Sequence, residues 1–165
     1  MVFAMVSHEL ASRRSATESR PPGEVMSPAW LGSPVISCKG AATARGVPLK
    51  NEIKTLILDT SVGLVAAHLR GDSMISLRAV KVVLAAQQAR LASPESLLSI
   101  GLIPGTVSAI LEPVWSLPHL IDQALLTLGF VTTNNRTTTG YFRFDPKVLL
   151  TASLYTLANF AISGQ

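Results

Sequence analysis

Few residues in this chain are of types that do chemistry, and their spacing narrows the choice further. Ser108, His119 and Asp122 supply a nucleophile, a base and an orienting acid in name. Ser108, however, sits in Val-Ser-Ala, without the glycines that a strained nucleophile turn requires. The one cysteine, Cys38, cannot close an internal disulfide, and His8, His68 and His119 share no ligand-like spacing. No metal, no cofactor and a reducing compartment are therefore expected. The chain has no Walker loop, no GxGxxG after a strand, no HExxH and no GxSxG elbow. What remains is a lysine inside an apolar run, Ile53-Lys54-Thr55-Leu56, and a stretch opening on Pro104-Gly105. Such a lysine is a point charge held on a strand, and the glycine lets backbone approach a substrate and offer an N–H. By themselves, a strand lysine is usually a solvated edge charge and Pro-Gly usually a turn. Asp72, in Arg70-Gly71-Asp72, reads equally as a turn residue holding its own backbone.

The elements that must position these residues are short. Cys38 to Gly46 reads as a helix stopped by Val47-Pro48. The run 53–58, the turn-rich Asp59 to Gly63 and the run 64–69 read as an antiparallel hairpin. Ser76 is placed to cap a helix that carries Leu77, Val80, Val83 and Leu84 and ends near Gln88. Arg90 to Ala92 reads as a strand, and Ser93-Pro94-Glu95 as the start of a short helix that ends at Gly101. Leu102 to Leu111 is expected to be a loop and strand, with strands at 119–122, 128–131 and 138–144 and a turn at 134–136. Asp145-Pro146 caps a last helix through about Ala152. Short strands mixed with short helices, without βαβ alternation, indicate an α+β domain.

Composition sets the outer bounds. With 165 residues, 48% hydrophobic and 15% charged, one domain with a real core is expected, and a disordered or coiled-coil chain is excluded. Four prolines between Pro21 and Pro34 make residues 1–35 an irregular lead-in to a domain at 36–165. The net charge of +4 is divided unevenly, six Lys/Arg against three acids over residues 1–50 and eight against seven beyond. Phosphate binding by a broad basic face is not expected, so any nucleic-acid contact is local. The first residues, MVFAMVSHELASRR, lack the layout of a secretory signal, and polar residues interrupt the apolar stretch from Val148. A cytoplasmic protein without membrane attachment is the reading.

The order of several motifs adds a resemblance. GAATARGVPLKNEIKTLIL, LRGDSMISLRAVKVV, ARLASPESLLSIGLIPGTVSA and HLIDQALLTLGF together resemble the YbaK and prolyl-tRNA synthetase editing-domain family over roughly residues 38–150. The likeness lies in the succession of "GV", "KTL", "GD", "LAS-P-E", "G-x-x-PG" and a later aspartate. It implies a mixed, mainly antiparallel, barrel-like sheet with short flanking helices. It also implies an aminoacyl-tRNA deacylase with no cofactor, whose partner is the tRNA acceptor end and not DNA. An ester on a terminal ribose is labile, so such an enzyme needs chiefly to position a water or the neighbouring hydroxyl and to stabilise the oxyanion. By position, the resemblance makes Lys54 a phosphate-holding catalytic residue. Gly105 and Ser108 fall in the catalytic loop, with Thr106, Val107 and Ala109 against the substrate. Asp72, Asp122, Val131 and Thr132 complete the expected site, with Asp122 also read as a carboxylate bonding loop N–H groups, and Thr132 and Thr133 as hydroxyls that could read the substrate. The chain departs from the family at Ala109, where relatives have proline, and at Val131, where they often have histidine. Proline at 109 is expected to stiffen the loop and leave turnover equal or higher. The amino acid accepted is read as small. The alternative is a catalytically silent module that binds an aminoacyl-tRNA end or an adenosine-like ligand.

Overall fold

The hairpin that the apolar runs announce is the longest feature of the fold. The computed structural model describes residues 29–30 and 37–164. In it, β2 (Ile53–Thr60) and β3 (Gly63–Arg70) pair along their whole length, from Ile53↔Arg70 to Thr60↔Gly63. The turn is held by Thr60, whose hydroxyl donates to the Gly63 carbonyl at 2.7 Å and accepts from the Val62 N–H at 3.2 Å. The central sheet has the strand order β5-β2-β3-β6-β9, where β5 is Ala89–Leu91, β6 His119–Asp122 and β9 Tyr155–Ala158. A three-stranded sheet runs β1-β8-β7 (Ala29–Trp30, Gly140–Phe144, Val131–Asn134), and a ribbon pairs β10 (Ala161–Ser163) with β4 (Ser73–Ile75). Among the described strand pairs only β3–β6 and β6–β9 are parallel. The fold is thus α+β with mixed, mainly antiparallel sheets, as expected. Among the described residues the pairings form three sheets and no closed ring. A parallel bridge, Glu52↔Thr132, ties the central sheet to the three-stranded one.

Among the described residues, three short helices flank the sheets: α1 (Cys38–Arg45), α2 (Leu77–Leu84) and α3 (Pro94–Ser99). Each starts where a serine side chain can accept a first-turn N–H: Ser37 from Gly40, Ser76 from Ala79 and Ser93 from Ser96. Strand alternation splits the hairpin's side chains between two cores. Leu58, Val65, Ala67 and Leu69 pack with Val80 of α2, Leu120 and Phe160 on one face. On the other face, Ile57 and Ala66 pack with Leu102 and Val114, and Ile53 joins a cluster with Ala109, Ile110, Ile121, Leu125, Val131, Phe144 and Leu149. Among the described residues, no helix is long and apolar enough to cross a membrane.

Several sequence expectations are corrected. Helix α2 stops at Leu84, because Ala85 takes a left-handed conformation, φ 50°, and caps it. No strand forms between Leu102 and Leu111. The positive φ of Gly101 and Gly105, 81° and 83°, turns the chain twice in five residues, so Leu102, Ala109 and Ile110 are buried from a loop. The strand expected at 128–131 begins only at Val131 and runs through Asn134, since Leu128 ends a 3-10 turn over Gln123–Thr127. The last helix is likewise a 3-10 segment, Pro146–Thr151, capped by the Asp145 carboxylate at the Lys147 N–H. Within the expected irregular lead-in, Ala29 and Trp30 form strand β1; the rest of residues 1–35 lies outside the described residues.

Candidate active site

The edge of β2 is only partly covered. β5 pairs with Leu58 to Thr60, the Ala92 N–H reaches the Ile57 carbonyl at 2.9 Å, and the Glu52↔Thr132 bridge closes the other end. Between these closures residues 53–56 have no strand beside them among the described residues. The carbonyl of Ile57 points to this side, so the N–H and C=O of Thr55, two residues back, do as well. A cleft of about 200 Å³ opens there. Its walls are Ser37, Cys38, Ala41 and Arg45 from the α1 side, the loop residues Gly105 and Val107, and Thr133 and Asn134 at the end of β7.

Sequence separation is bridged by specific bonds. The loop is stitched to β7 twice: the Ala109 N–H donates to the buried Thr133 hydroxyl at 3.1 Å, and Asn134 Nδ2 donates to the Gly105 carbonyl at 3.3 Å. This corrects the expectation that proline suits position 109, because the loop uses the N–H that proline lacks. Gly105 itself, exposed at φ 83°, holds a conformation that a side chain would strain. Gly71 serves more remotely. A Cβ there would lie 2.6 Å from the Leu49 carbonyl oxygen and 2.8 Å from that of Glu52, and its N–H donates to Glu52 O at 2.7 Å. It sets the backbone that leads into β2.

Lys54 lines the cleft, and its ammonium donates to the Ser73 carbonyl on β4 at 2.6 Å. An ammonium has three donors, and among the described residues only this one is used. Beneath it, the Arg45 guanidinium meets Glu52 Oε1 at 2.5 Å with both side chains almost wholly buried, and stacks 4.8 Å from the centre of the Tyr141 ring. Glu52 Oε2 accepts the Thr132 hydroxyl at 2.5 Å. Burial pushes the Glu52 carboxyl above its usual value, against the pull of Thr132 and Arg45. Burial, with Glu52 nearby, also pushes the Cys38 thiol up.

The expected site residues divide four ways. Lys54, Gly105 and Val107 come together at the cleft, 51 residues apart in sequence at their closest spacing from Lys54 to Gly105. Ser108, Ala109, Val131 and Thr132 are buried behind it: Val131 packs in the core, Thr132 is committed to Glu52, and the Ser108 hydroxyl has no partner among the described residues. Thr106 turns the loop, its hydroxyl donating to the Ile103 carbonyl at 2.9 Å. Asp72 and Asp122 line a different depression, near β4 and β10. Asp72 pairs with Arg70, which lowers its carboxyl below the ordinary value. Asp122 accepts the N–H groups of Ala124, Phe160 and Ala161 at 2.9–3.0 Å. Ser108, His119 and Asp122 share no hydrogen bond, so no triad is built. Sequence reading did not single out Cys38, Arg45, Glu52, Thr55 or Asn134. Among the described residues no group of three His, Cys, Asp or Glu side chains could hold a metal ion.

An open strand edge walled by a helix, a glycine loop and a lysine makes a small cleft that offers backbone groups and one ammonium. The aminoacyl-tRNA editing domain family matches residues 33–152, and the chain belongs to that family. No curated protein matches it. A crystal structure of the hypothetical protein APE2540 is similar in fold, with a TM-score of 0.74 at 22% identity over 82% of this chain and 91% of that one. So is a protein proposed as a trans-editing enzyme for prolyl tRNA synthetase, with a TM-score of 0.73 at 23% identity over 82% of this chain and 86% of that one.

Proposed function

We propose that this chain hydrolyses the ester bond of mischarged aminoacyl-tRNA carrying a small amino acid, and that it acts in trans. The observation that carries the reading is the convergence of Lys54, the Gly105 loop and the unpaired β2 edge on one cleft. Lys54 holds a phosphate of the acceptor end. Backbone N–H groups of the loop and of Thr55 receive the oxygen that becomes anionic as the ester is attacked, and the attacking water or ribose hydroxyl is placed by the same contacts. Pockets that enclose a drug-sized ligand run to roughly 300–1,000 Å³. A cleft of about 200 Å³ takes in a small acyl group and leaves most of the nucleotide outside. The family match and the trans-editing neighbour support a deacylase. Asp72 and Asp122 have no part in the proposed chemistry.

The alternative of a silent binding module draws on one observation: the Ser108 hydroxyl is sealed behind the cleft, so the expected loop supplies no side-chain nucleophile. Incubation with tRNAs charged with Ala, Ser, Thr, Cys and Pro separates the two. Turnover of a small aminoacyl ester supports the enzyme; binding without turnover supports the module. Losing one such electrostatic contact typically costs about 10²–10³ in rate, so Lys54→Ala should lower turnover by that factor while thermal unfolding is little changed. Near-normal turnover in a folded Lys54→Ala protein removes Lys54 from the site.

A further inference from the structure

A row of three side chains crosses the central sheet from the cleft into the interior. Thr55 on β2 stands opposite His68 on β3, and His119 on β6, the next strand over, lies on the same face. The Thr55 hydroxyl is 3.0 Å from His68 Nδ1, His68 Nε2 is 2.7 Å from His119 Nδ1, and His119 Nε2 is 3.2 Å from the Trp115 carbonyl oxygen. Both imidazoles are buried, at 0% and 2% exposure, and their rings lie within 20° of parallel. Thr55 is half-buried and lines the cleft.

The end of this chain decides its direction. A carbonyl oxygen can only accept, so His119 Nε2 carries the proton that points at Trp115. A neutral ring has one N–H, so His119 Nδ1 accepts, and the partner 2.7 Å away, His68 Nε2, must donate. By the same step His68 Nδ1 accepts, and among the described residues the proton it receives is that of the Thr55 hydroxyl. Burial favours the neutral form of both rings. The hydroxyl has one proton and two lone pairs. With the proton spent inward, only lone pairs face outward.

We infer that the His68–His119 chain locks the Thr55 hydroxyl as a hydrogen-bond acceptor toward the cleft, where it takes an N–H or O–H donor at the acyl-nucleoside end of the substrate. Two groups there have that chemistry, the α-ammonium of the amino acid and the ribose hydroxyl beside the ester. The inference rests on reading the cleft as the place of an aminoacyl ester. His68 and His119 touch no substrate; they are positioning residues that act through Thr55. Ser37 and Thr133, also in the cleft wall, each accept a backbone N–H and so keep their own proton to give. Thr55 discriminates: a ligand that presents a carbonyl or carboxylate oxygen to it meets lone pairs and is rejected.

The test has a spectroscopic arm and a binding arm, both on the full chain. Heteronuclear NMR of the isotopically labelled protein at neutral pH should show both buried histidines as Nε2–H tautomers and a Thr55 hydroxyl proton protected from exchange. An Nδ1–H tautomer at either ring overturns the relay without reference to any ligand. In the binding arm the probe is a non-hydrolysable adenosine carrying alanine in amide linkage at the ribose. Thr55→Val should weaken its binding roughly tenfold to a hundredfold, as expected for loss of a hydrogen bond to a charged or strongly polar donor, and Thr55→Ser should restore it. Probes lacking the α-ammonium or the ribose hydroxyl identify the donor, since the group whose removal abolishes the Thr55→Val effect is the one bound. If the effect survives both removals, the assigned donor is overturned. If the parent protein fails to bind the probe while the tautomers stand, the aminoacyl-ester reading has failed instead.

Discussion

The family resemblance leads one to expect proline at position 109, and the structure says that Ala109→Pro should harm this protein. The Ala109 N–H donates to Thr133 Oγ at 3.1 Å, with Ala109 fully buried and Thr133 at 2% exposure. Removing the donor leaves a buried hydroxyl without its partner, which costs about 1–3 kcal/mol. For a chain of this size each kcal/mol lowers Tm by about 2–4 °C, so a fall of roughly 2–12 °C is expected. Proline also restricts the residue before it, Ser108, so the bond must be separated from that strain. Thr133→Val does so. Alone it orphans the Ala109 N–H and should cost a similar amount; combined with Ala109→Pro it removes both halves of the bond, and the double variant should be more stable than the sum of the two losses predicts. Thermal and urea unfolding followed by circular dichroism measure all four proteins. If Ala109→Pro melts with the parent, or if the two losses simply add, the bond between loop and β7 does not hold the loop in place.

Three other outcomes are expected. Burial raises the Glu52 carboxyl above its ordinary 4.5, so the folded state binds the proton more tightly and stability falls as pH climbs through the interval above that value; Glu52→Gln should flatten that slope in urea titrations. The buried histidines have the opposite sign. Both are lowered from the ordinary 6.5, so stability is full above that value and is lost as pH falls below it, and His68→Gln should remove part of this acid sensitivity if calorimetric Tm is followed across the range. Gly71→Ala places a Cβ against two backbone oxygens and should cost a few kcal/mol, about the upper end of ordinary single substitutions, seen as a clear drop in the urea midpoint.

How much of this was legible follows from where the information sits. The β2–β3 hairpin and the three serine-capped helices were readable because each is dictated within a dozen residues, by apolar runs, turn residues and caps. The stretch 102–111 was misread because its apolar residues look the same in a buried loop as in a strand, and only the positive φ of Gly101 and Gly105 decides. The motif order singles out Lys54 and Gly105, which line one cleft. It does not single out Thr55, Glu52 or Arg45, since nothing local marks a threonine whose partner is a histidine thirteen residues on and a carboxylate whose partners come from α1 and β7. Thr132 and Thr133 illustrate the limit well. They are neighbours of the same type, yet one is tied to Glu52 in the interior and the other reaches the cleft, a distinction set by strand phase that a one-residue shift would reverse.

The gap in the β2 edge has a meaning beyond ligand binding. A bare stretch of strand backbone is a template on which another chain can add itself, and proteins usually mask it with charge, proline or a covering segment. Here the gap is only four residues long, and α1, the Gly105 loop and the end of β7 stand around it like the sides of a slot. A foreign strand, which needs a run of several residues laid flat, cannot enter. A single small acyl group, as the proposed function requires, can. The walls that give the cleft its shape therefore also act as a filter against self-association, and loosening them should reveal itself first as aggregation in storage, before any loss of fold.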